Sequence, residues 1–225
     1  MKQILVAIAL VLAGLVPGVS QAATIFSDNF NGETPFTGLN YITFANWAVS
    51  AGTVDLIGAG PPPFFNLPTI AGTGHVNYVD LDGSTFDAGI MRSDALVLLA
   101  GTTYDLTFDL AGSQRGDSNT LTYGIDLDGN GSLDDGISVT PGDITLGSAT
   151  LFSTYTLSFT PSADTGAARI QFGQLQGNPP FGDNRGLLLD NVALNSRAVP
   201  EPASLMLLGA GLAAIGIWRR KAAKG

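Results

Sequence analysis

The chain has 225 residues, a formal net charge of −9 at pH 7 and no cysteine. Between Ala23 and Ala198 its only cations are Arg92, Arg115, Arg169, Arg185 and Arg197, so nothing can neutralise a row of phosphates, and nucleic acid is excluded as a partner. The missing cysteines exclude disulfides, thiolate metal ligands and thiol nucleophiles, and leave a hydrophobic core or a bound cation to hold the domain together.

The chain starts with a charged Met1-Lys2-Gln3, an apolar run from Ile4 to Val16, a helix-breaking Pro17-Gly18 and the small residues of Ser20-Gln21-Ala22. This order predicts a signal peptide over residues 1–22, removed by signal peptidase before Ala23. At about 1.5 Å per residue the apolar run falls well short of a hydrocarbon core of roughly 30 Å.

The domain that follows is predicted as residues 23–198 and is rich in Asp, with Glu only at Glu33. Asp bonds to nearby backbone in turns, whereas Glu favours helices, so turn-rich β structure is expected. Strands are predicted at Ile25 to Phe30 and Trp47 to Ile57. Trp47, the lone Trp of the domain, suits either the core or a platform for a sugar ring. Pro61-Pro62-Pro63-Phe64-Phe65-Asn66 is a stiffened loop that offers Phe64 and Phe65 to a ligand. His75 is the only histidine and reads as part of a loop running into a strand at Tyr78 to Leu81. Another strand is expected at Gly89 to Ser93, and strict alternation marks Tyr104 to Leu110. Arg115-Gly116-Asp117 reads as a surface turn.

Alternation resumes at Leu121 to Ile125 and leads into Asp126-Leu127-Asp128-Gly129-Asn130-Gly131-Ser132-Leu133-Asp134-Asp135. Oxygen-bearing side chains at loop positions 1, 3 and 5 with Gly at 6 are what a calcium loop uses to wrap a hard cation. Asp126, Asp128 and Asn130 fill those positions, Ser132 offers a carbonyl, and Asp134 or Asp135 closes the shell. Ile137 stands where a bidentate Glu belongs, so an Asp-rich hairpin turn is the alternative. Further strands are expected at Tyr155 to Phe159, Arg169 to Phe172 and Leu187 to Leu194. Between the last two, Asn178-Pro179-Pro180-Phe181-Gly182-Asp183-Asn184-Arg185 offers Phe181, Asn184 and Arg185 for stacking and hydrogen bonding to a ligand.

Many short strands at this spacing, with no helical period between the termini, predict an all-β sandwich of two antiparallel sheets. The stretches Gly101 to Gly112 and Gly186 to Val192 resemble jelly rolls of the galactose-binding and carbohydrate-binding-module kind. That resemblance implies a structural calcium between first and last strands, with Asp28 and Asp190 as the matching carboxylates. An Asp next to Asn191 equally suits a bond to a neighbouring turn.

Residues 199–225 form a polar handle, an apolar run over 203–218 and a basic stop. The run predicts a short transmembrane helix, about 24 Å long, with the basic end inside. Pro200-Glu201-Pro202, the Gly/Ala/Leu-rich span and Arg219-Arg220-Lys221 are together similar to the PEP-CTERM sorting signal. Membership implies recognition by an exosortase, a transient anchor in the inner membrane and later release to the cell surface or extracellular matrix, in the setting of exopolysaccharide and biofilm production. With neither a Gly-x-Ser-x-Gly elbow nor a singled-out carboxylate pair, no catalytic residue is expected. The expected function is non-catalytic, calcium-assisted association with exopolysaccharide. A self-associating matrix protein is the main alternative, and an enzyme acting on polysaccharide a lesser one.

Overall fold

Period-two alternation becomes paired strands wherever one face can be buried. The computed structural model describes residues 22–34, 37–58, 74–85, 87–133, 142–175 and 183–197, with 209, 211–212, 214–216 and 219–220 of the tail. Among the described residues twelve strands follow in order: β1 Thr24–Asp28, β2 Trp47–Ala51, β3 Asp55–Gly58, β4 Asn77–Asp80, β5 Ile90–Ser93, β6 Leu96–Leu98, β7 Tyr104–Ala111, β8 Ser118–Asp126, β9 Gly142–Gly147, β10 Ser153–Phe159, β11 Thr165–Leu175 and β12 Leu188–Ser196. One sheet runs β10-β7-β12-β4-β3 with β1 also on β12; the other runs β2-β5-β11-β8-β9 with β6 also on β11. All twelve strands pair antiparallel, as the sandwich expectation requires.

The two sheets share one core. Phe108 of β7 meets Phe172 of β11 at 4.9 Å and Tyr123 of β8 at 4.8 Å between ring centroids. Leu56, Val79, Leu106, Leu110, Leu189 and Leu194 line the same core from the first sheet, and Met91, Leu121 and Ile170 from the second. A smaller cluster of Ile57, Tyr78, Ala111 and Leu188, with Phe152 against it, lies outside that core.

β12 organises the first sheet. β7 runs along one side, while the other side is shared by β4, at Leu188 and Leu189, and β1, from Val192 to Asn195. Where that neighbour changes, the register shifts between Asp190 and Ala193, and Asn191 turns left-handed at φ 49°. Asn tolerates that conformation better than most residues.

The expected single strand from Trp47 to Ile57 is instead two strands in different sheets. Gly52, at φ 59°, turns the chain between them. β6 and β9 were not expected. Residues 23–197 form one compact unit. Among the described residues no helix is long and apolar enough to cross a membrane. The expected signal segment lies outside the described residues, as does most of the expected span at 203–218.

Candidate functional site

The predicted cation loop begins where β8 ends. Asp126 is fully buried, and its Oδ1 accepts the backbone N–H of Gly129 at 2.8 Å and of Asn130 at 3.1 Å. Its Oδ2 accepts Gly131 N–H at 2.8 Å and takes the Arg92 guanidinium as an ion-pair partner. Gly129 and Gly131 adopt φ of 77° and 101°, which lets the loop fold its N–H groups over that carboxylate. Asp128 and Asn130 are exposed. Asp128 accepts the amide and side chain of Asn130, and Asn130 accepts Ser132 N–H at 2.7 Å. Asp126 is therefore occupied by protein donors, and a guanidinium already supplies its countercharge. Among the described residues no group of three or more acidic or histidine side chains is arranged to hold a metal. Asp134 and Asp135 lie outside the described residues.

The second predicted cation pair reaches adjacent strands, with Asp28 opposite Val192 in the β1/β12 register. Each carboxylate is separately engaged. Asp28 accepts Phe30 N–H at 2.8 Å, Asn46 Nδ2 at 3.0 Å and the Trp47 indole N–H at 3.0 Å. Asp190 Oδ2 lies 2.5 Å from His75 Nδ1, and its Oδ1 accepts Asn191 N–H at 2.7 Å. Burial raises the Asp190 pKa against the opposing hydrogen bond from His75.

His75, read from sequence as a simple loop residue, sits just before β4. It stacks on Phe152 at 3.9 Å, and its Nε2 is 3.8 Å from Asp109. Asn191 donates to Asp109 at 2.8 Å, so two carboxylates, an imidazole and an amide fix the β12 bulge. Beside that bulge opens a groove of about 490 Å³ lined by Ser27, Asp28, Asn29, Gly32, Asn191, Val192 and Ala193. Small-ligand sites commonly enclose 300–1,000 Å³, with a few polar groups over apolar walls. Here a hydroxyl, two amides and a carboxylate flank Val192 and Ala193, a lining that can hydrogen-bond a polyhydroxyl ligand.

A third polar cluster was not foreseen. Asp80 is fully buried, pairs with Arg115 and accepts Asp82 N–H at 3.1 Å. Burial pushes Asp80 up to about 8, although Arg115 pulls the other way. Burial likewise pushes Asp82 to about 7, with Asp183 adding to the effect. Tyr78 is raised to about 12 by burial and by Asp80. Among the described residues Asp82 Oδ1 has no hydrogen-bond partner. Arg115-Gly116-Asp117 is a bend with Gly116 exposed, as expected of a surface turn; beyond that expectation its arginine reaches the buried Asp80, and Asp117 accepts the Ser113 hydroxyl and Asn119 Nδ2.

Of the candidate ligand-stacking residues, Trp47 belongs to the core. It is 4% exposed and packs near Phe26, Phe30 and Phe172, so it offers no face to a sugar. Phe64, Phe65 and Phe181 lie outside the described residues, while Asn184 and Arg185 are exposed. Asn184 and Arg185 are not among the described residues that line the groove.

Residues 198–221 match the PEP-CTERM protein-sorting motif. No curated protein matches the chain. Among solved structures, the K3 cleaved adhesin domain of Lys-gingipain from Porphyromonas gingivalis aligns at 16% identity and TM-score 0.46, covering 78% of this chain and 99% of that one. The CBM22-1 xylan-binding domain of Paenibacillus barcinonensis Xyn10C aligns at 12% identity and TM-score 0.46, with 80% and 97% covered. A cyclase from Fischerella sp. TAU aligns at 18% identity and TM-score 0.47, with 79% and 98% covered. Likeness this distant leaves the ligand to be argued from the chain's own residues.

Proposed function

We propose that this is an exported, exosortase-sorted surface or matrix protein, held transiently at the inner membrane by its tail. Its β-sandwich, wound as a jelly roll, associates non-catalytically with extracellular polysaccharide through the β1/β12 groove. The sorting motif at 198–221 supports the export half of this reading. The groove carries the ligand half: its hydroxyl, amide and carboxylate groups suit a chain of sugar hydroxyls, and the acidic surface disfavours polyanions. The proposal includes calcium as an aid to folding at the 126–135 loop. Its support is Asp128, exposed and, among the described residues, bonded within the turn, with Asp134 and Asp135 following in sequence.

Affinity electrophoresis of the exported protein through the host's released exopolysaccharide tests the reading. The wild type should be retarded, and Asn29→Ala with Asn191→Ala should restore its mobility. Unretarded wild type would overturn the groove as a glycan site. New reducing ends in the polysaccharide would replace binding by catalysis.

A further inference from the structure

Asn-Gly and Asp-Gly pairs are chemically fragile, because the glycine nitrogen can attack the preceding side-chain carbonyl carbon with no β-carbon in the way. Four such pairs lie among the described residues: Asn31-Gly32, Asp82-Gly83, Asp128-Gly129 and Asn130-Gly131. In three of them the attacking N–H is engaged. Gly83 donates to the Thr53 carbonyl at 2.9 Å, Gly129 to Asp126 Oδ1 at 2.8 Å and Gly131 to Asp126 Oδ2 at 2.8 Å. Gly32 differs. Among the described residues its N–H has no acceptor, it lines the open groove, and a β-carbon built on it would meet nothing within 4 Å. Asn31 is exposed in the turn that Glu33 closes by donating to the Phe30 carbonyl at 3.3 Å. Its Oδ1 accepts the Asn77 N–H at 2.9 Å, a donor already aimed at the oxygen where negative charge develops when the carbonyl carbon is attacked.

We propose that Asn31-Gly32 is a site of spontaneous modification, where Asn31 deamidates while the fold protects Asn130. The Gly32 nitrogen gives its proton to solvent base and bonds to the Asn31 Cγ. The Cγ–Nδ2 bond then breaks, and Nδ2 takes a proton from solvent and leaves as ammonia. Water opens the resulting five-membered imide at either carbonyl. Breaking the new bond from the Gly32 nitrogen to Cγ leaves an aspartate at position 31. Breaking the old peptide bond instead leaves an isoaspartate, whose main chain is longer by one methylene. Neither oxidant nor metal is needed. Either product places a new negative charge beside Gly32 at the groove. The isoaspartate also lengthens the turn that leads to Glu33, whose buried carboxylate accepts the Tyr41 hydroxyl at 3.1 Å and the Ala45 N–H at 2.9 Å. The proposal holds whether or not the groove takes a polysaccharide.

The test is peptide mapping by mass spectrometry of the full chain, aged in detergent at mildly alkaline pH, with fragmentation to locate each gain of one mass unit. A hydrogen bond to a carboxylate is strong enough that freeing the attacking N–H from it should speed the reaction by roughly ten- to a hundredfold. Asn31 should therefore convert that much sooner than Asn130 in the folded chain, and give both aspartate and isoaspartate. In guanidinium-unfolded chain the two Asn-Gly pairs should convert at similar rates, because the protection belongs to the fold. Gly32→Ala adds a β-carbon to the attacking residue where the fold has room for it, and should leave Asn31 intact over the same interval. Equal rates at Asn31 and Asn130 in the folded chain, an Asn31 still intact when the unfolded chain has converted, or a Gly32→Ala variant that converts at the wild-type rate would each overturn the proposal.

Discussion

Raising the pH from 5 to 8 should weaken this domain steadily, because Asp80 and Asp82 are buried where an ionised carboxylate is poorly tolerated. Burial is the largest cause in both cases and lifts them from 3.8 to about 8 and about 7. Over that range the folded state keeps protons that the unfolded chain has released. Stability from these groups is thus full below about pH 4 and drains away as pH rises through 7 and 8. Asp82 alone, moved from 3.8 to about 7, loses about two pH units' worth of that shift between pH 5 and pH 8, on the order of 2–3 kcal/mol. Asp80 acts in the same direction, tempered by Arg115. Such a loss is a large part of an ordinary domain's total stability, about 5–15 kcal/mol. Urea denaturation of residues 23–197 at pH 5, 6, 7 and 8 measures it. At a denaturant slope of about 2 kcal/mol per molar, Asp82 alone should lower the midpoint by roughly 1 M. Asp82→Asn keeps the shape, removes one of the two titrations and should flatten the trend, leaving the part that Asp80 contributes. Equal wild-type midpoints at pH 5 and pH 8, or an Asp82→Asn variant with the wild-type slope, would refute the reasoning. Arg115 would then be a full countercharge, and both carboxylates would ionise as they do in water.

Three other outcomes are expected. Calcium at a hundredfold excess over its dissociation constant should stabilise the domain by about 2.7 kcal/mol and raise its Tm by roughly 5–10 °C, with Asp126→Ala and Asp128→Ala together abolishing the shift; equal melting in calcium and in chelator reduces the loop to a turn. Asp28→Ala removes the acceptor shared by Phe30, Asn46 and Trp47, and should cost about 1–3 kcal/mol with a shift in Trp47 fluorescence; an unchanged midpoint would show that water replaces the carboxylate. Glu201→Ala should leave full-length protein in the membranes of an exosortase-bearing host, whereas the wild type is shortened, as immunoblotting of membrane fractions would show.

Alternation alone located β7, β8 and β10, because each buries one face against the core and leaves the other outside. It misled at Trp47 to Ile57. Both halves of that run are strand-like, and only Gly52 signals the change of sheet. β6, at three residues, is too short to show a period. Sites were less legible than strands. The turn chemistry of Asp126 to Ser132 could be read locally, since donors and acceptors lie within a few residues of each other. The Arg92 partner could not, and neither could Asp80 with Arg115 or His75 with Asp190, which sheet pairing brings together from distant parts of the chain. A single histidine before a strand and an arginine in a turn carry no local mark of the carboxylates that await them.

The placement of β12 has a mechanical consequence. The sorting tail continues directly from this strand, which runs between β7 on one side and β4 and β1 on the other. Traction on the tail therefore enters the sheet through an interior strand and loads its hydrogen bonds in parallel, on both flanks. An edge strand is held by pairing on one flank, whereas β12 can leave only by breaking its pairing on two. A load applied through the C terminus is thus met on both flanks of an interior strand of the sheet.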